Sequence, residues 1–144
     1  MRRVAAACAF ACLFYGAAGA KDARSIVRET AERQGAPPAL ALGIAQTESS
    51  FRCHVRGHAS ERGVMQVKPA TARQVGVFGN LYDCQTGAEA GVRYLKLALA
   101  RAGGDWGIAA SLYNRGIAAS HIITGYARRV LRNASEVLIK SEGP

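Results

Sequence analysis

A series of helix breakers cuts this chain into pieces of helical length. Asp22 is placed to cap a first helix running through Arg33, with Ile26, Val27 and Thr30 on one side and Gly35 as its stop. Pro37-Pro38 opens a second helix that reaches about Ser49. Pro69 begins a short helix to about Val75, and Asp83 or Thr86 caps a long one striped with Val92, Leu95, Leu99 and Ala102. Gly103-Gly104 breaks it, Asp105 caps a piece from Trp106 to Tyr113, and Asn114-Arg115-Gly116 ends that piece. A last helix carries Tyr126, Val130 and Leu131, and Ser135 to Lys140 either extends it or forms a tail. Residues 51–68 hold Gly57, Gly63 and no sustained period, leaving room for one short β-hairpin. The expected fold is mainly α, a single compact helical domain.

Residues 1–20 read differently from the rest. Arg2 and Arg3 precede an apolar, Ala- and Cys-rich stretch from Val4 to Tyr15, and Ala18-Gly19-Ala20 supplies a small-x-small cleavage pattern. The stretch is short of the about 20 apolar residues of a membrane span. Residues 1–20 are therefore expected to be a signal peptide, leaving residues 21–144 as one exported domain with no stable membrane anchor. Without Arg2 and Arg3, 17 cations face 10 acids, a net charge of +7. Such a balance favours a polyanionic partner, yet the basic residues are scattered and no nucleic-acid motif is present, so nucleic acid is not expected. Two cysteines remain, Cys53 and Cys84, and an even count in an exported chain points to a disulfide. Its stabilisation on the chain-entropy account is about 3 to 4 kcal/mol. His54 and His58 stand near Cys53, but with no third and fourth ligand in view, neither a metal nor another cofactor is expected.

One residue is out of keeping with its surroundings. Leu40, Ile44 and Glu48 recur at i, i+4 and i+8, so the carboxyl of Glu48 shares the apolar face. Burial there raises its pKa, and the negative end of the helix dipole pushes the same way. A carboxylic acid kept protonated towards neutral pH is what a general acid must be. Rotated slightly outward, the same side chain pairs with Arg52 or Arg56 on the surface. Spacing alone does not choose between the two.

Five segments stand in a telling order: Glu48-Ser49-Ser50-Phe51; Gly63-Val64-Met65-Gln66 with Pro69-Ala70-Thr71-Ala72; Ala88 to Leu95 (AEAGVRYL); Tyr113-Asn114-Arg115-Gly116; and Tyr126-Ala127-Arg128-Arg129-Val130. In order and spacing they resemble the soluble lytic transglycosylase family over roughly residues 25–132. The resemblance implies a lysozyme-like helical domain that cuts peptidoglycan between N-acetylmuramic acid and N-acetylglucosamine. Glu48 matches the family's catalytic glutamate and Ser49 the serine beside it. Gly63, Val64, Met65 and Gln66 match the loop lining the glycan cleft, Tyr113 and Asn114 the groove-wall pair, and Tyr126 the tyrosine that helps hold the glutamate. Departures are Glu61, where the family usually has a small residue, Gly87 where many relatives have Asn, and Leu112 where Ala is usual.

The chemistry of a single carboxyl agrees with that resemblance. Ordinary glycosidases flank the bond with two carboxylates, about 5 to 9.5 Å apart. A transglycosylase needs one, which protonates the leaving oxygen and then deprotonates the sugar's own primary hydroxyl, closing an anhydro ring without water. Met65 suits packing on a sugar face, Gln66 and Asn114 suit hydrogen bonds to acetamido groups, and Tyr113 suits both. Two alternatives follow from other residues: a goose-type-like hydrolytic lysozyme in which Glu61 holds water, and a non-catalytic peptidoglycan-binding assembly factor in which Glu48 is vestigial. In size and in its cysteine pair the chain resembles small transglycosylases that accompany secretion, conjugation or pilus systems. The resemblance thus implies a monomer in the periplasm of a Gram-negative bacterium, with glycan strands as partner.

Overall fold

The structure, a computed structural model, describes residues 21–141. The expected leader lies outside the described residues. Six helices follow in order: α1 (Ala23–Gln34), α2 (Pro38–Ser49), α3 (Pro69–Gln74), α4 (Cys84–Arg101), α5 (Trp106–Arg115) and α6 (Gly125–Ser141). Three aspartates start three of them. Asp22 accepts from the Ser25 N–H at 2.8 Å, Asp83 from Thr86 at 2.8 Å and Asp105 from Ile108 at 2.7 Å. Each satisfies a backbone donor that the helix itself leaves unpaired. Asp83 rather than Thr86 is therefore the cap of α4, and residues 135–140 extend α6 instead of leaving it as a tail.

Helix α2 is the hub. Every residue from Ala39 to Ala45 is buried, which explains a sequence apolar on all sides rather than striped. Removing Leu40, Leu42 and Ile44 from water contributes about 1.5 to 3 kcal/mol each. That is enough to carry a partly desolvated carboxyl one turn further along. Helix α6 makes the most extensive contact with α2, while α1 packs on both α2 and α4. The α2–α6 approach is close because Gly43 has no side chain: a Cβ there would stand 2.6 Å from the Val130 carbonyl oxygen. Next to it, Asn133 Nδ2 donates to Thr47 Oγ1 at 2.9 Å, tying the two helices just before Glu48.

The short hairpin for which residues 51–68 left room does not form. Residues 51–68 contain two isolated antiparallel bridges, Arg56 with Arg62 and Arg62 with Val67, in place of two strands. The reason is backbone hand: Ser60, Gly63 and Gln66 take positive φ of 69°, 79° and 49°, which breaks a pleat every third residue or so. Gly63 is the position that admits no alternative, since a Cβ there would also collide with the Leu81 carbonyl. A disulfide between Cys53 and Cys84 fastens this loop to the first residue of α4. Among the described residues no helix is long and apolar enough to cross a membrane.

Candidate active site

The last turn of α2 delivers Glu48 and then turns sharply. Ser50 and Phe51 follow it with φ of 51° and 61°, a left-handed pair without glycine. Such conformations cost of order 1 kcal/mol or more each, and local anchors hold them. The Ser50 N–H closes on the Gln46 carbonyl at 3.1 Å, and Arg24 lies 4.3 Å over the Phe51 ring. Chain direction thus reverses immediately beyond the carboxyl, and the loop 51–68 comes back beside it.

Glu48 lines a cleft of about 310 Å³ with Glu61, Gln66, Val67, Lys68, Thr71, Tyr94, Tyr113, Asn114, Arg115 and Gly116. The Tyr126 hydroxyl donates to Glu48 Oε1 at 2.6 Å. Burial raises the Glu48 pKa above the ordinary glutamate value; the Tyr126 hydrogen bond opposes that, the Glu61 charge adds to it, and Arg129 opposes it. The surface pairing with Arg52 or Arg56 does not occur: among the described residues no ion pair includes Glu48, and Arg52 Nε donates instead to the Ser49 carbonyl at 2.9 Å. Burial likewise drives the Tyr113 and Tyr126 phenols well above their usual range, which favours both as neutral hydrogen-bond donors.

The residues expected around the glutamate divide into two groups. Gln66, Tyr113 and Asn114 line the cleft, and Tyr126 reaches the carboxyl itself. Ser49, Gly63, Val64 and Met65 lie behind the cleft rather than lining it: the first and last two are 2%, 0% and 0% exposed, and Gly63 is buried against Leu81. Their work is to set the wall. Ser49 Oγ donates to the Val64 carbonyl at 2.7 Å, and Tyr113 Oη donates to the Met65 carbonyl at 2.8 Å. Helices α2 and α5 thereby clamp successive carbonyls of one loop. The Met65 side chain is fully buried in the core, and the Tyr113 O–H proton is already donated. Gln66 Nε2 is spent as well, on the Val55 and Gly63 carbonyls at 3.0 and 2.9 Å, so Gln66 brings an acceptor, not a donor, to the cleft. Leu112, one of the departures, is fully buried and does not touch the groove.

Other contributors were not legible beforehand. Tyr94 lines the cleft and packs against Tyr113 with its ring tilted by 58° and ring centroids 5.3 Å apart. Ser111 and Thr124 place Tyr126: Thr124 N–H donates to Ser111 Oγ at 3.1 Å, and Thr124 Oγ1 caps α6 by accepting from the Ala127 N–H at 3.1 Å. A threonine immediately before a helical run is a capping signal, and Thr124 stands directly before α6. Glu61 is not a merely solvated loop charge either. It faces the same cleft, where Oε2 accepts from the Ala59 N–H at 3.0 Å and Oε1 lies 3.9 Å from Lys68 Nζ.

Comparison with known proteins places this geometry. The family described as the transglycosylase SLT domain matches residues 25–132. The membrane-bound lytic murein transglycosylase C of Haemophilus influenzae is 42% identical over 80 residues, 49% of this chain and 22% of that protein. Its namesake from Mannheimia succiniciproducens is 40% identical over 81 residues, 49% of this chain and 23% of that protein. This chain therefore matches less than a quarter of the length of either relative. The lytic transglycosylase Slt of Pseudomonas aeruginosa, solved as an inactive mutant, superposes with a TM-score of 0.73 at 19% identity, over 84% of this chain and 24% of that one. That likeness shows the same lysozyme-like helical fold. With the family matched across about three-quarters of its length, this chain belongs to the transglycosylase SLT domain family.

Proposed function

We propose that the protein is a peptidoglycan lytic transglycosylase with Glu48 as its single acid and base. The observation that carries this reading is the carboxyl of Glu48, held in the cleft by Tyr126 at 2.6 Å with its pKa raised by burial. In its protonated form Glu48 gives its proton to the oxygen leaving the muramic anomeric carbon as the glycosidic bond breaks. The muramic N-acetyl group stabilises the cationic centre. The Glu48 carboxylate then removes the proton of the muramic primary hydroxyl, whose oxygen attacks the anomeric carbon and closes the anhydro ring. The proton returns to Glu48, and no water is consumed. Asn114 and the free acceptor of Gln66 are the groups offered to acetamido N–H and C=O.

Hydrolysis through Glu61 is the second reading, favoured by the place of that carboxylate in the same cleft. Against it, one Glu61 oxygen already accepts a backbone N–H and the other stands beside Lys68. Export through a leader at residues 1–20, work in the periplasm on the glycan strands, and service to a secretion, conjugation or pilus apparatus belong to the same proposal.

Mass spectrometry of muropeptides released from purified sacculi tests it. Anhydromuramic ends from wild type and none from Glu48→Gln support the single-carboxyl mechanism. Reducing muramic ends transfer the nucleophile's role to water and the second role to Glu61. Binding to sacculi with no product from wild type leaves the assembly-factor reading.

A further inference from the structure

One cation that lines the cleft makes no ion pair among the described residues. Arg115 closes α5 and lines the cleft beside Asn114. Its guanidinium is held by neutral groups: Nη1 donates to the Ser120 carbonyl at 3.1 Å and Nη2 to Ser120 Oγ at 3.3 Å. Among the described residues no carboxylate pairs with it. A guanidinium carries five N–H donors, so after these two it keeps three, already oriented. The contrast with Lys68 in the same cleft is instructive, because Glu61 stands 3.9 Å from that ammonium and partly answers its charge. The two bonds to Ser120 restrict the exposed Arg115 side chain, which lowers the rotamer entropy that binding an anion costs.

The chemistry of the polymer says what such a cation meets. Alternating acetamido sugars are uncharged, and the lactyl carboxyl of muramic acid is consumed in its amide bond to the peptide. The free carboxylates of a peptidoglycan strand lie on its peptide stems. Resting on the reading of the cleft as a glycan site, the geometry points to Arg115 as a specificity-determining residue that takes a stem carboxylate in a forked pair of hydrogen bonds. Ser120 positions it. The protein thereby prefers stem-bearing strands to bare glycan, independently of how Glu48 carries out the bond cleavage.

The test compares intact sacculi with strands from which an amidase has removed the peptides. Wild type should show kcat/KM about tenfold higher on the stem-bearing substrate, mainly through KM, in line with one charge-assisted forked contact. In Arg115→Gln that ratio should fall towards one, and Arg115→Lys should keep only part of it, because an ammonium has charge without the fork. Ser120→Ala should lie between wild type and Arg115→Gln. Sedimentation of the Glu48→Gln protein with each substrate, with and without Arg115→Gln, reads the same preference without turnover. Equal loss on both substrates, or an undiminished preference in Arg115→Gln, overturns the assignment. Absence of product from wild type with a stem preference that still depends on Arg115 would sink the catalytic reading and leave this one standing.

Discussion

The hydroxyl of Tyr126 and the carboxyl of Glu48 meet at 2.6 Å although 78 residues of chain separate them. This bond fixes the rotamer of Glu48 and, together with burial, Glu61 and Arg129, sets its proton affinity. Because it favours the charged carboxylate, it holds the Glu48 pKa below what burial alone would give. Tyr126→Phe should therefore move the alkaline limb of the pH–rate profile upward, with kcat reduced about tenfold or more through lost positioning. Stability should fall by about 1 kcal/mol, the ordinary worth of one such bond. An unmoved profile in the variant would show that Tyr126 does not act on the acid.

Glu61 pushes in the opposite direction from Tyr126. Its charge raises the Glu48 pKa, so Glu61→Gln should shift the same limb downward while the product remains anhydromuramic. Kinetics across pH with product analysis separate the cases. Loss of activity together with reducing ends in wild type would make Glu61 a catalytic partner.

Glu48 is expected to destabilise the fold it serves. A carboxyl whose pKa is raised by folding contributes most below its ordinary value of 4.5, and that contribution is lost as pH rises through the folded-state value. Glu48→Gln should therefore melt above wild type near neutral pH, by about 2 to 4 °C, with the gap closing towards pH 4. Activity should drop by about 10² to 10⁴ in the same protein. Thermal melts at pH 4 and pH 7 decide it; a gap that is the same at both would refute burial as the cause.

Close approach of α2 and α6 makes Gly43 a sensitive position. Gly43→Ala puts a methyl against the Val130 carbonyl and should cost about 1 to 3 kcal/mol by pushing α6 outward. Tyr126 rides on that helix, so the pH–rate profile should change in the direction seen for Tyr126→Phe. Denaturant melts and the profile together test this, and a purely thermodynamic loss would mean that α6 yields without moving Tyr126.

Opening the Cys53–Cys84 bond by a double Ala substitution should lower unfolding free energy by about 3 kcal/mol. The bond ties the cleft loop to α4, so protease cleavage within residues 51–68 should speed up before the rest of the chain is attacked. Timed digestion with mass mapping would reveal a uniform pattern instead if the loop keeps its shape unaided.

Helix boundaries were legible because their signals are local. Asp22, Asp83 and Asp105 cap, and Pro38 and Pro69 begin helices, within a residue or two of expectation. The i, i+4, i+8 spacing of Leu40, Ile44 and Glu48 put the carboxyl on the apolar face but left a surface pair with Arg52 or Arg56 open, and the contact with Tyr126 decides for the cleft. What escaped was decided by tertiary contacts. Met65 and Gln66 sit in a loop whose left-handed backbone has no simple period, so no spacing rule could tell which side chains face the cleft. Leu81 prevents any side chain at Gly63, yet lies 18 residues away in sequence. Tyr94 belongs to a helix whose buried stripe hides an aromatic on its cleft edge.

The bond from α6 to α2 also bears on when the protein becomes dangerous. Glu48 is made early and Tyr126 late, and they join only when the last long helix seats itself on the hub. On the proposed mechanism, a chain in transit, or one with its end still undocked, carries an acid that is neither oriented nor tuned. Wall-cutting power would thus depend on the docking of α6 against α2, and a copy in which the two helices failed to meet would be harmless rather than an uncontrolled lysin.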